Sequence, residues 1–186
     1  MRKDFGAKPI TYPQPVFIVA AYDENGVPCA MNAAWGGISE ATEISMCLSP
    51  GHKTVKDILV SKAFTVSMAT VPYLDACDYV GIVSGNDVPD KLVKAGFHTT
   101  RSTHVNAPLI DELPMAVECN LISYEPESCR MVGEIVNVTI DDSVLTDDDK
   151  VDLEKLQPIT FVPMNNTYNV IGAVVGKAFS DGEKLK

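Results

Sequence analysis

Between Ser49 and Leu59 the chain reads SPGHKTVKDIL. A Pro-Gly turn, a His, a Lys and two hydroxyl residues stand ahead of a stretch with helical spacing. A helix N-terminus leaves backbone N–H groups unpaired and carries a partial positive charge. Ser49, His52 and Thr54 add hydrogen-bond donors and Lys53 adds a full charge, while Pro50 and Gly51 keep the approach small. Together these groups suit a phosphate. A plainer reading fits the same residues: a turn, Thr54 as a helix N-cap and a solvated Lys53.

Two further stretches hold residues of this kind. MNAAWGGIS, Met31 to Ser39, sets Asn32 in a strand pattern, followed by Ala33, Ala34, the single Trp, Trp35, and two glycines. Small residues beside an aromatic let a flat ligand lie close to the backbone. The alternative is a strand ending in a glycine turn with a core Trp. YVGIVSGNDVPDK, Tyr79 to Lys91, offers Gly81, Ser84 and Gly85 as a loop able to approach a ligand, with Lys91 within reach. A helix break with a surface Lys reads equally well.

Familiar phosphate motifs are missing. There is no G-x-G-x-x-G, and GAVVGKA at Gly172 to Ala178 is one residue short of a P-loop and lacks a hydroxyl residue after Lys177. The three histidines make no metal pattern, so no metal is expected. The five cysteines, Cys29, Cys47, Cys77, Cys119 and Cys129, are odd in number and widely spaced in apolar surroundings. Buried, reduced thiols are expected.

The elements that must carry these groups are mostly strands. PVFIVAAY, DENG and VPCAMNAAW form a hairpin pattern around an Asn-Gly turn. EISMCLS puts Ile44, Met46 and Leu48 on one face. TVKDILVSK has helical spacing at Val55, Ile58, Leu59 and Lys62, and AFTVSMAT returns to period two. YLDACDYVGIVSGNDVPDKLVKAG reads as two helical pieces broken at SGNDVP. Two long strands, LPMAVECNLISYEP and SCRMVGEIVNVTI, meet in a turn around Pro126, and ITFVPMNNTYNVIGAVVGKAF is a final strand region. The acidic run DDSVLTDDDKVDLE is a solvated loop entering a short helix. Strands, short helices, then strands argue for a β-barrel with helices outside it, in one domain over residues 1–186.

With 186 residues, 46% of them hydrophobic, a packed core is expected. A net charge of -10 argues against nucleic acid or an anionic membrane as partner. The first residues lack the apolar run of a secretory signal, and no apolar run reaches the ~20 residues of a membrane helix. A cytoplasmic protein is expected.

In order and spacing, NAAW, LSPGHKTVKDI, AFTVSMA, DYVGIVSGNDVPDK, APLIDELPMAVEC and VIGAVVGKAF resemble the flavin reductase-like family, flavoredoxin-like branch. The resemblance runs from about Pro15 to Phe179. It implies a mainly β, FMN-binding split barrel: six antiparallel strands with short outer helices, a homodimer, and one FMN per protomer near the interface. Carried over by position, Asn32, Ala33, Ala34 and Trp35 would line the isoalloxazine and ribityl region. Ser49, Pro50, His52, Lys53 and Thr54 would hold the phosphate. Ser84, Gly85 and Lys91 would close the site, Lys91 lying either near ring N1 or on the phosphate. Tyr12, Pro13 and the segment Asn165 to Tyr168 are further candidates for flavin contact. The chemistry would be flavin-borne, with no catalytic side chain required. Three functions remain open: an NAD(P)H-using flavin reductase-like enzyme, an FMN electron carrier for a redox protein partner, and a binder of another phosphorylated or haem-like ligand.

Overall fold

The structure is a computed structural model and describes residues Met1–Lys186. The DENG segment turns the chain between β2 (Phe17–Tyr22) and β3 (Pro28–Ala33), which pair antiparallel over their full length. Gly26 takes the left-handed conformation the turn requires, at φ 75°. The Asp23 carboxylate accepts the N–H groups of Asn25 and Val27, both at 2.9 Å. After β3 come β4 (Gly36–Glu40), β5 (Glu43–Cys47), α1 (Lys53–Ser61) and β6 (Ala63–Met68). The two helical pieces are α2 (Leu74–Ile82) and α3 (Lys91–Ala95). The long strands are β9 (Met115–Glu125) and β10 (Arg130–Ile140), preceded by the small pair β7 (Thr99–Arg101) and β8 (Pro108–Ile110).

The main sheet runs in the order β3-β2-β6-β9-β10-β5-β4. Its two outermost strands, β3 and β4, are separated in the chain only by Ala34 and Trp35. A flat sheet would hold these edges roughly 29 Å apart, and three Cα steps reach roughly 11 Å. The sheet must therefore roll up. With β3 and β4 as one bent strand, the result is a six-stranded antiparallel barrel, the expected fold class.

Period-two patterning divides the core. Phe17, Val19 and Ala21 of β2 face one apolar cluster, shared with Met31, Ile44, Met46, Phe64, Val66 and Met131 from around the barrel. Val55 and Ile58 of α1 join it. Ile18 and Ala20 face a second cluster with Cys77 and Val80 of α2 and Leu92 of α3, so those helices cover the outer wall. The apolar stripe of α1 is narrower than its spacing suggested: Leu59 is exposed, and Lys62 ends the helix in a left-handed C-cap.

A second sheet joins β1 (Gln14–Pro15), β11 (Ile159–Val162) and β12 (Thr167–Val170). The expected final strand region stops at Val170. Beyond it, Val174, Val175 and Phe179 are exposed and the chain is irregular up to a short 3₁₀ turn, Asp181–Leu185, because nothing in the chain covers these apolar side chains. The acidic run is a loop with a 3₁₀ turn, entering α4 (Leu153–Leu156) capped by Asp152. No helix is long and apolar enough to cross a membrane.

Glu118 of β9 is fully buried in the barrel wall. Its carboxylate accepts from Ser102 Oγ, from Thr139 Oγ1 and, at 2.7 Å, from Asn137 Nδ2. Ser102 Oγ also accepts the N–H groups of His104 and Val105, so one carboxylate pins the loop after β7. Burial pushes the carboxyl pKa up, but the three donors outweigh it and hold it below its ordinary 4.5. A lowered folded-state pKa stabilises the fold above the unfolded-state value, and that stability is lost as pH falls through the folded-state value. Glu118→Gln should cost about 1–3 kcal/mol near neutral pH. In urea unfolding, its deficit against the parent should shrink below the carboxylate range; a deficit independent of pH would contradict this.

Candidate functional site

The barrel seam opens onto two adjoining cavities. The first, of about 320 Å³, is mostly apolar. Ala33, Ala34 and Trp35 form its seam side, and Cys47 and Leu48 its β5 side; Phe161 and Tyr168 reach it from the second sheet. The second, of about 210 Å³, is polar. Its walls carry His52, Lys53 and Thr54 from the start of α1, Ser84 and Gly85 from the loop after α2, and Lys91 from α3. Met31, Asn32, His52, Gly81 and Ile82 line both.

The start of α1 is built to receive an acceptor. His52, not Thr54, is the N-cap residue, and its side chain makes no capping bond. The N–H groups of Lys53, Thr54 and Val55 have no backbone partner. Thr54 is buried, its hydroxyl 3.5 Å from Cys29 Sγ. The capping role for Thr54 does not survive, because the helix packs this residue against β3.

Lys53 is half-buried and held from two sides. Its Nζ lies 2.7 Å from Asp57 Oδ1, one turn along, and 3.3 Å from Asp23 Oδ2 of the hairpin turn. Burial opposes its charge, but the two carboxylates prevail and its pKa is raised. The second Asp57 oxygen is buried without a partner, and burial raises the Asp57 pKa against the pull of Lys53.

Lys91 is buried rather than on the surface. Its Nζ donates to the carbonyls of Val80 and Val83, at 3.0 and 2.9 Å. Two bonds leave one of its three N–H donors over. Burial lowers its pKa, and burial with the Lys91 charge lowers that of His52. Lys91 belongs to the polar cavity alone.

Close approach requires glycine at two positions. A Cβ on Gly85 would stand 2.7 Å from Cys29 Sγ and 3.2 Å from Lys53 Cβ. A Cβ on Gly81 would stand 2.7 Å from Asn32 Cβ. Gly81 lies in the last turn of α2, not in the following loop. Asn32 is fixed by its Nδ2 donating to the Cys77 carbonyl at 3.2 Å.

Of the twelve residues assigned to ring, phosphate and closure, ten therefore line these cavities, and Gly81 and Tyr168 line them as well. Ser49 and Pro50 do not: they sit exposed in the turn before His52, where the Ser49 carbonyl accepts the His52 N–H. Trp35 is not a core residue; it is 43% exposed at the cavity wall. Sequence reasoning missed Asp23, Asp57, Asp78 and Phe161. Asp57 stands at i+4 from Lys53, a helical pairing signal. Asp78 has no local signal; it accepts the Tyr168 hydroxyl at 2.6 Å across 90 residues of chain. Burial first, then Asp78, pushes the Tyr168 phenol up to about 12.

Comparison with known proteins agrees with this architecture. A model described as "Flavin reductase like domain" matches residues 10–161. The structure of flavoredoxin of Desulfovibrio vulgaris (Miyazaki F) is 37% identical, with 98% of this chain and 100% of that one covered and a TM-score of 0.93. Flavoredoxin from Methanosarcina acetivorans shares the fold at 23% identity, with full coverage of both chains and a TM-score of 0.89. An uncharacterized protein of Aquifex aeolicus is 30% identical over 111 residues, 57% of this chain. The match spans about half, 55%, of that curated relative. The seam-closed barrel, the family match over most of its length and the near-complete superposition on a flavoredoxin lead to one assignment: this chain belongs to the flavin reductase-like family, in its flavoredoxin branch.

Proposed function

We propose that the two cavities together hold FMN and that the protein is an oxidoreductase passing electrons through it. One observation carries the reading. The unpaired N–H groups of Lys53 and Thr54 at the start of α1 stand with two lysines at a polar cavity, directly beside an apolar cavity walled by Trp35 and Tyr168. The first suits a phosphate and the second a flat ring. FMN, when bound, supplies the redox chemistry. The chain binds and orients it. His52, Lys53, Thr54, Ser84, Gly85 and Lys91 take the phosphate; Asn32, Ala33, Ala34 and Trp35 lie along the ring and ribityl chain. The position of Lys91 in the polar cavity alone supports phosphate contact over ring N1.

Calorimetry tests this directly. FMN should bind more tightly than riboflavin. Lys91→Met keeps the buried stem and should weaken FMN by about 1.5–3 kcal/mol while leaving riboflavin unchanged. Equal losses for both ligands would remove the phosphate role. Lys53→Ala is a poorer probe, since it strands Asp57 in the interior.

Trp35→Phe should shift the flavin absorption band or reduction potential with the fold intact, since an aromatic wall of another size would face the ring. Identical spectra and potential would make Trp35 a spectator.

A second subunit fits the surface. Trp35 and Ile82 are exposed at the apolar cavity, Ile38 is exposed on β4, and the segment after Val170 exposes Val174, Val175 and Phe179. Apolar patches of this kind mark interfaces, and paired copies are the commonest assembly. Sedimentation should give twice the 20.1 kDa of one chain; a flavin-loaded monomer would contradict it.

The likeness to a flavoredoxin at 37% identity favours the carrier form of this function, in which a redox protein is the partner. Anaerobic mixing with NADH and NADPH decides: a carrier keeps its flavin oxidised, and a reductase bleaches it.

A further inference from the structure

Two cysteines lie outside the buried set. Cys47 ends β5 and is exposed; Cys129 sits in the turn before β10 and is half-buried; both are free. Cys47 pairs with Arg130 across the ladder, and the Leu48 N–H donates to the Cys129 carbonyl at 2.8 Å. The cysteines are thus diagonal neighbours. A strand spacing of ~5 Å and a rise of ~3.3 Å put their Cα atoms roughly 6 Å apart. A disulfide spans Cα atoms up to about 7 Å apart.

In regular strands, diagonal neighbours point to opposite faces. Cys129 departs from regular strand geometry: its φ of 59° is left-handed, and its Sγ lies 3.7 Å from the Pro126 carbonyl of its own turn. Cys47 Sγ lies 3.9 Å from the Ser128 carbonyl, in the peptide group that joins Ser128 to Cys129. The Tyr124 phenol feels both thiols: burial first, then Cys129 and Cys47, raise its pKa. Cys47 also lines the apolar cavity and, with Trp35, Ser128 and Arg130, the open hollow next to it.

We propose that Cys47 and Cys129 form a redox-active dithiol that exchanges with small disulfides at the mouth of the apolar cavity. The Cys47 thiolate attacks one sulfur of the incoming disulfide and releases one thiolate, which takes up a proton. The Cys129 thiolate then attacks the Cys47 sulfur, closes the bridge and releases the second. Two S–H bonds are lost from the protein and one S–S bond is gained. The incoming disulfide gains two electrons and two protons. Arg130 stands directly across the ladder from Cys47 and lines the same open hollow. The exchange draws no electrons from FMN, although Cys47 shares the cavity proposed for the ring.

The test uses the reduced full chain and oxidised glutathione, followed by alkylation, digestion and mass spectrometry. The expected product is a Cys47–Cys129 cross-linked peptide that dithiothreitol reverses. Cys77 and Cys119 should stay unmodified in the folded chain, since burial pushes their thiols up to about 11 and about 12. Cys129→Ser should stop at a mixed disulfide on Cys47. Trp35 offers a second readout, because its carbonyl accepts the Cys47 N–H at 2.8 Å. Bridge formation should dim the emission of this single Trp in the parent and not in Cys129→Ser, whose circular dichroism should match the parent. A parent chain that remains reduced, or that carries glutathione on Cys47 without the cross-link, overturns the proposal.

Discussion

The short passage from Ala33 to Gly36 governs this molecule. Two residues must carry the chain from one edge of a seven-stranded sheet to the other. That constraint rolls the sheet and gathers the inward faces of its strands into one cluster. It also leaves Ala34 and Trp35 with no strand of their own at the point where the wall changes direction. The apolar cavity lies at that junction, so barrel closure and cavity have the same cause.

Electrostatics at the seam runs against the chain as a whole. The net charge is -10, yet the polar cavity gathers two lysines and a histidine. Each lysine is desolvated, and each is compensated differently. Lys53 keeps its charge through two carboxylates. Lys91 has carbonyls alone and stays easier to neutralise. In a chain of net charge -10, the pocket's attraction for anions acts by contact rather than by long-range steering.

Much of this was legible in the sequence, for physical reasons. The β2–β3 hairpin follows from Asn25-Gly26, and the β9–β10 pair from two long strand patterns around Pro126. The helix break at SGNDVP follows from local chemistry. The bent β3–β4 strand was not legible, since MNAAWGGIS reads equally well as a strand end. The burial of Thr54 was hidden because its partner, Cys29, lies 25 residues away. Asp78 and Tyr168 meet only once β12 folds back. Trp35 looked equally suited to the core, and only the direction of the seam exposes it. Local spacing read the elements; contacts between distant elements decided which faces were wet.

Lys91 has one further consequence. The carbonyls it engages, those of Val80 and Val83, belong to the C-terminal end of α2. A helix presents its negative pole there, equivalent to roughly half an elementary charge. Left alone, that pole would face the polar cavity and oppose the positive pole of α1 across it. The buried ammonium reverses its sign. Two helices of opposite orientation thus present the same polarity to one small space, and a single side chain makes the second of them compatible with the first.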